Sequence, residues 1–179
     1  MRLTFLIFAL LLAACSHKDK ISLCGDHWWS CKYYDNDEQA LAAIKAEEKH
    51  ELDIAKNLDI DFNACAAVLL ADQIAGQGKI TSNQIYISLF GDDPSPELLT
   101  DLEDVKISAL PRSKFKATNE DQSAAWKFSV SSIRKNWFGG YTAHAGYHCG
   151  SLCAGGTEYQ LKRKGNSCAV VARRLLWVS

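Results

Sequence analysis

Apolar and polar residues follow three different rhythms along this chain. Residues 3–14 form a nearly unbroken apolar run behind Met1 and Arg2. From Leu41 one stripe steps by threes and fours through Ile44, Glu48, Leu52 and Ala55. That spacing predicts an amphipathic helix whose "KAEEKHE" segment is its wet side. Asp35 and Glu38 stand at capping-box spacing just before it. A second helix is predicted over "DFNACAAVLLADQIAG", with Asp61 as its cap and Gly76 or Gly78 at its end. It is apolar nearly all round, which marks a buried central helix.

After Gly78 the rhythm changes to alternation. "NQIYISLF" reads as a strand, and "DDPSPELLTDLED" as a turn followed by a short helix with Ser95 as cap and Pro96 at its first position. Further strands are predicted at "VKISALP", "AWKFSVSSI", "GYTAHAGYH", "TEYQLKR" and "CAVVARRLLWV". "KGNS" is a hairpin turn between the last two. Helices first and strands afterwards predict an α+β fold, an N-terminal helix pair packed on a C-terminal antiparallel β-sheet meander. Such a small sheet behind a helix pair is analogous to cystatin-like or NTF2-like rolls.

The first apolar run changes the reading of location. It is too short to span a bilayer, which takes about 20 apolar residues. A basic start, a short apolar core and small residues at its end describe an export signal. Leu12, Ala13, Ala14 and Cys15 resemble the bacterial lipobox. The resemblance implies cleavage after residue 14, lipid on Cys15, and a tether over residues 15–23 leading into a single domain, 24–179. Ser16 in place of Asp implies the outer membrane facing the periplasm. Removing residues 1–14 from 179 leaves 165. Lys plus Arg then falls from 20 to 19 against 21 acidic residues, a formal charge of −2. With no basic excess, nucleic acid is not an expected partner. The expected partners are the membrane, through the lipid on Cys15, and an envelope protein.

With Cys15 assigned to lipid, Cys24, Cys31, Cys65, Cys149, Cys153 and Cys168 remain. An even number of cysteines in an exported chain reads as disulfides. Short loops close most readily, which favours Cys24–Cys31 and Cys149–Cys153 and leaves Cys65–Cys168. Trp28, Trp29, Tyr33 and Tyr34 crowd the first of these loops. They read as cover for the core, with an aromatic binding patch as the alternative.

The C-terminal stretch "GYHCGSLCAGGTEYQLKRKGNSCAVVARRLLWVS" resembles the end of a group of uncharacterised bacterial proteins, many of them exported. The likeness rests on Cys149, Gly150, Leu152, Cys153, Gly155, Gly156, Tyr159, Leu161, Val170, Trp177, Val178 and Ser179. "YISLFGDDPSPELLTDL" is similar to the same group. Cys168 departs from it, standing where the group usually has Trp. The resemblance implies a fold and no chemistry.

Three chemical readings compete with structural ones. His144, His148, Cys149 and Cys153 offer zinc-ligand types, but a strand sends His144 and His148 to one face and Cys149 to the other. No metal and no cofactor is expected. Cys-x-x-x-Cys in a glycine-rich turn lacks the helix N-terminus that activates a redox thiol. "NAC" around Cys65 at the start of an apolar helix resembles the nucleophile helix of papain-like cysteine peptidases and cell-wall amidases, which implies His144 as base. Against it, Cys is an ordinary small core residue among alanines. "AGQGK" is a helix end and no phosphate loop. Asp92 and Asp93, beside Pro94, read as turn and cap residues. The stretch "GYHCGSLCAGG" is expected to be a hairpin connection turned by its glycines and locked by Cys149–Cys153. The reading as a whole is a lipid-anchored envelope protein of non-enzymatic binding, inhibitory or maintenance type. Its alternative is a cysteine peptidase or amidase using Cys65 with His144.

Overall fold

The computed structural model describes residues 21–24, 31–78, 80, 84–115, 125–149 and 153–179, with backbone alone for strand residues 21–24 and 31. The apolar leader, Cys15, Trp28, Trp29 and residues 150–152 lie outside the described residues. The chain divides into two units, 1–47 and 48–179.

In the first unit, β1 (Ile21–Cys24) pairs antiparallel with β2 (Cys31–Tyr34). Part of the expected tether is therefore strand. The register sets Cys24 opposite Cys31. Helix α1 (Asp37–Lys56) begins here. Its capping box sits one residue later than Asp35/Glu38. Asn36 Oδ1 accepts from the Gln39 amide at 2.9 Å, and Gln39 Oε1 accepts from the Asp35 amide at 3.2 Å. Asn36 and Gln39 meet the same three-residue rule, so two boxes competed and the pair flanking the first turn formed.

In the second unit alternation builds a six-stranded sheet in the order β4-β3-β5-β6-β7-β8. The strands are β3 (Ile85–Leu89), β4 (Leu110–Pro111), β5 (Trp126–Lys135), β6 (Tyr141–His148), β7 (Ala154–Lys164) and β8 (Ser167–Val178). From β5 to β8 the sheet is the antiparallel meander that the alternation predicts. β3 departs from it, pairing parallel with both β4 and β5. Helix α3 (Pro96–Asp104) lies between β3 and β4 in the chain, and a crossover of this kind makes a parallel neighbour natural. The expected strand "VKISALP" shrinks to Leu110 and Pro111, because Val105 caps α3 and Lys106 takes a left-handed step at φ +66° with its amide donating to the Glu103 carbonyl at 2.8 Å.

One face of the sheet is dry. Ile87 and Leu89 of β3, Phe128, Val130 and Ile133 of β5, Ala143 and Ala145 of β6, and Tyr159 and Leu161 of β7 all join one buried cluster. A bulge between Val130 and Ser132 resets the β5 alternation, which is why Ile133 still faces inward. Helix α2 (Phe62–Gly76) covers this face, supplying Cys65, Ala66, Leu69, Leu70 and Ile74. Burying each Leu or Ile contributes roughly 1.5–3 kcal/mol, so Leu69, Leu70 and Ile74 hold this helix firmly on the sheet. Asp61 caps α2 by accepting from the Asn63 and Ala64 amides at 2.9 and 3.1 Å. Helix α3 adds Leu98 and Leu102, with Ser95 accepting from the Leu98 amide at 3.2 Å and Pro96 at the first position.

The stripe predicted for α1 is only half dry. Leu41 and Ile44 are exposed, whereas Leu52 and Ala55 reach the core. Glu51, a polar position by the pattern, is only 6 % exposed and grips the Arg134 guanidinium through both carboxylate oxygens. A buried charge needs such a partner.

The structure joins Cys65 to Cys168 and Cys149 to Cys153, with Cα atoms 5.1 and 5.0 Å apart. The first bridge ties α2 to β8. The glycines of "CAGG" do not turn the chain: Gly155 and Gly156 lie inside β7. A side chain at Gly155 would meet the Tyr147 ring at 2.6 Å, and one at Gly156 would strike Trp177. Each glycine is a slot for an aromatic ring on the neighbouring strand.

Candidate functional site

The sheet face turned away from α2 carries the polar half of the alternation. Tyr86 and Ser88 of β3 lie beside Lys127 and Ser129 of β5, and His148 pairs with Lys127 in register. The segment after β4, a 3-10 turn over Arg112–Lys114, brings Arg112 and Phe115 to this face. Together they line a concavity of about 390 Å³, closed at one side by Glu48 and Gly91. Gly91 has φ +80° and no room for a side chain against the Glu48 carboxylate. The positive φ is what requires glycine, since the Glu48 carboxylate is the end of a flexible side chain that can move aside.

The charges in this cup are fixed by specific contacts. Arg112 donates to the Gly91 carbonyl at 2.9 Å. Next to it, Asp93 accepts from the Ser113 amide at 2.8 Å. The Ser113 hydrogen bonds, and behind them the Arg112 and Lys114 charges, hold the Asp93 carboxyl below its ordinary range. Lys127 Nζ stands 3.6 Å from the Phe115 ring centroid, a cation–π contact. Phe115 is itself braced edge-on by Tyr86, with centroids 5.2 Å apart. Burial, and then the positive Arg112, lower the Lys127 pKa. Two cations are thus held near one another in a partly desolvated hollow, where an anion between them would relieve both. Ser129 and Ser131 point their hydroxyls at the Gly146 and His144 carbonyls, at 3.5 and 3.3 Å. Their remaining lone pairs accept, which suits holding a polar ligand.

A second hollow, of about 310 Å³, lies between the end of α2 and the β7–β8 pair, lined by Gln73, Thr157, Tyr159 and Arg173. Arg173 reaches Asp72 at 3.1 Å. The buried Gln73 amide has no hydrogen-bond partner among the described residues.

The pair Cys65 and His144 is not brought together. Cys65 is fully buried on α2 and bonded to Cys168, so it has no thiol to offer. His144 alternates with the inward-facing Ala143 and Ala145 and therefore lies on the opposite face of the sheet. Its Nε2 is 3.5 Å from Glu158, which also accepts from Arg174 at 3.2 Å. Burial raises the Glu158 pKa, but the His144 and Arg174 contacts outweigh it and the net shift is downward. Among the described residues no three His, Cys, Asp or Glu side chains are grouped to hold a metal ion. Cys149 and Cys153 are bonded to each other, and the Cys149 amide donates to the Cys153 carbonyl at 2.8 Å. Asp92 closes a tight turn through paired backbone bonds with Leu89 at 2.9 Å.

Of the cup residues the sequence singled out only His148, and for metal rather than for this hollow. The outward alternation of Tyr86, Ser88, Lys127 and Ser129 was there to read. Arg112 and Phe115 join it only through the parallel crossover, which alternation does not reveal. Against protein-family models, curated proteins and solved structures, the chain has no match.

Proposed function

We propose that this chain is a lipid-anchored, periplasm-facing envelope protein of non-enzymatic binding, inhibitory or maintenance type, and that its ligand is a small anion carrying hydroxyl groups. The observation that carries the ligand class is the placement of Lys127 and Arg112 together in a hydroxyl-lined cup with Phe115 beneath the ammonium. An anion gains two charge-assisted contacts there, while a neutral polar molecule gains only the hydroxyls. The envelope location is supported by the lipobox-like residues ending in Cys15, by the two disulfides, which favour an oxidising compartment, and by the resemblance of the C-terminal half to exported bacterial proteins.

The test is a titration of the full chain with glucuronate, inorganic phosphate and glucose, read as thermal shift and as heat of binding. Glucuronate is expected to stabilise, phosphate to stabilise less, and glucose to leave the transition where it is. An Arg112→Met/Lys127→Met variant is expected to lose the response to both anions while keeping its unliganded transition. Equal responses to glucuronate and glucose, or an unchanged response in the variant, would remove the ligand assignment. The anchor is tested separately: a Cys15→Ala variant should no longer incorporate radiolabelled fatty acid, and its continued labelling would refute lipidation there.

A further inference from the structure

At one end of the sheet the chain exposes apolar surface that no other described residue covers. The turn from β5 to β6 carries Trp137 and Phe138, which are 100 % and 98 % exposed. This turn is not loose. Asn136 Oδ1 accepts from the Phe138 and Gly140 amides, each at 3.0 Å, and the Asn136 amide donates to the Gly140 carbonyl at 2.9 Å. Gly139 supplies the left-handed step at φ +78°. At Gly140 any side chain would lie 2.6 Å from the Leu161 carbonyl, so the turn is seated against β7. Two large aromatic side chains are therefore presented by a braced loop. Exposing them fully in water is unfavourable, and bracing them there gains nothing for the core.

The surroundings of the tip are basic. Tyr141 pairs with Leu161, so the end of β7 and its turn into β8 lie at the same end of the sheet as Trp137 and Phe138. That places Arg134, Lys135, Lys162, Arg163 and Lys164 around the aromatic pair. Among the described residues the carboxylates at this end are Glu51 on Arg134, Asp59 on Lys135 and Arg163, and Asp61, whose amide donates to the Asn166 carbonyl. Five cations face three carboxylates, and Lys162 and Lys164 have no ion-pair partner among the described residues. The full chain has a formal charge of −1, so this end reverses the sign of the whole.

We infer that the β5–β6 tip is a membrane-docking wedge, with Trp137 and Phe138 entering the interfacial layer of an anionic bilayer and the basic collar resting on its headgroups. Trp and Phe settle in that layer, and Lys and Arg beside them are drawn to anionic lipid. A protein partner would present a pocket for the same two rings. The excess of cations in the collar, with Lys162 and Lys164 unpaired among the described residues, favours the negatively charged, deformable surface of lipid. The wedge is independent of the anion cup and of the lipid on Cys15. If that lipid is present it keeps the chain beside a bilayer, so the wedge needs little affinity of its own.

The test uses the full chain on vesicles of brominated phosphatidylcholine, with and without phosphatidylglycerol. Tryptophan quenching is compared between wild type and Trp137→Phe, so that the difference isolates Trp137. With phosphatidylglycerol the Trp137 component should be quenched and blue-shifted, and high salt should reverse the effect. Lys162→Glu/Lys164→Glu should weaken it about tenfold or more, from roughly fivefold per lysine near an anionic surface. These positions are exposed, and the same Trp137 signal reports on the lysine variant without altering the tip. A chain held on phosphatidylglycerol vesicles with Trp137 unquenched overturns the wedge and leaves the anchor standing. A chain bound only when phosphatidylglycerol is present, with Trp137 quenched, supports the wedge and counts against the anchor. Unquenched Trp137 together with loss of one crosslinked envelope protein in Trp137→Ala/Phe138→Ala assigns the tip to a protein and overturns the lipid assignment.

Discussion

Tyr159 shows how one residue couples burial to pH. Its ring lies in the core while its hydroxyl lines the hollow beside Asp72 and Arg173. Burial, then the Asp72 charge, push its pKa up from 10.0 to about 12, with Arg173 pulling the other way. The folded state thus prefers the neutral phenol. Below pH 10 both folded and unfolded chains keep the proton, and the stability from this residue is fully present. As pH rises from 10 toward 12 the unfolded chain ionises first, and that stability is lost. Urea midpoints measured across that window should fall in wild type and fall less steeply in Tyr159→Phe. Parallel curves would show that the alkaline loss arises elsewhere. At this scale the sequence was only partly legible. Tyr159 was visible as a residue of the predicted strand "TEYQLKR", with nothing local to say which way it faces. Gly155 and Gly156 looked like turn residues, because nothing local says that Tyr147 and Trp177 need their missing side chains. The cap at Asn36 was ambiguous by one residue for the same kind of reason, since two boxes satisfied one rule.

At the scale of elements, alternation and helical spacing located α2, α3, β3 and β5–β8 to within a few residues. β3, β5, β6 and β7 bury one face, and burial is what writes a period into sequence; β8, exposed after Val170, was found from its β-branched and apolar run instead. β4 was overcalled because it is an edge strand of two residues, ended by Pro111 and followed by a 3-10 turn. The parallel pairing of β3 with β5 left no periodic trace. The link between α2 and β8 is the element contact most open to measurement. The Cys65–Cys168 bridge joins positions 103 residues apart. Closing a loop of about 100 residues in the unfolded chain is worth roughly 2–5 kcal/mol. Cys65→Ala/Cys168→Ala should lower the unfolding free energy in urea by that amount. Cys149→Ala/Cys153→Ala, whose bridge spans 4 residues, should cost clearly less. Equal costs for the two double variants would mean that the bridges act through local packing and not through the length of chain they constrain. Free-thiol counts in denaturant give a direct companion reading of both bridges, and of Cys24 and Cys31.

For the molecule as a whole, the unit spanning residues 48–179 separates its surfaces. α2 takes one face of the sheet and the cup lined by Arg112 and Lys127 takes the other. The aromatic tip takes one end of the β5–β6 hairpin, and the cup lies toward the opposite end, where Lys127 pairs with His148. At about 3.3 Å per strand residue, Ser129 and Trp137 are roughly 25 Å apart along β5. A wedge set in a bilayer therefore leaves the cup well clear of the headgroups and beyond the Debye length of about 8 Å at physiological ionic strength. Sites that far apart with no shared side chain act additively unless the fold itself moves. Glucuronate affinity should then be the same in buffer, on phosphatidylglycerol vesicles, and in Trp137→Ala/Phe138→Ala. Reciprocally, Arg112→Met/Lys127→Met should leave Trp137 quenching unchanged. A severalfold change in either direction would mean that β5 transmits between its ends, with the bulge at Ser131 the natural point of give. Additive behaviour would instead fit a sheet that works as a rigid post, one end for the membrane and the other for the ligand.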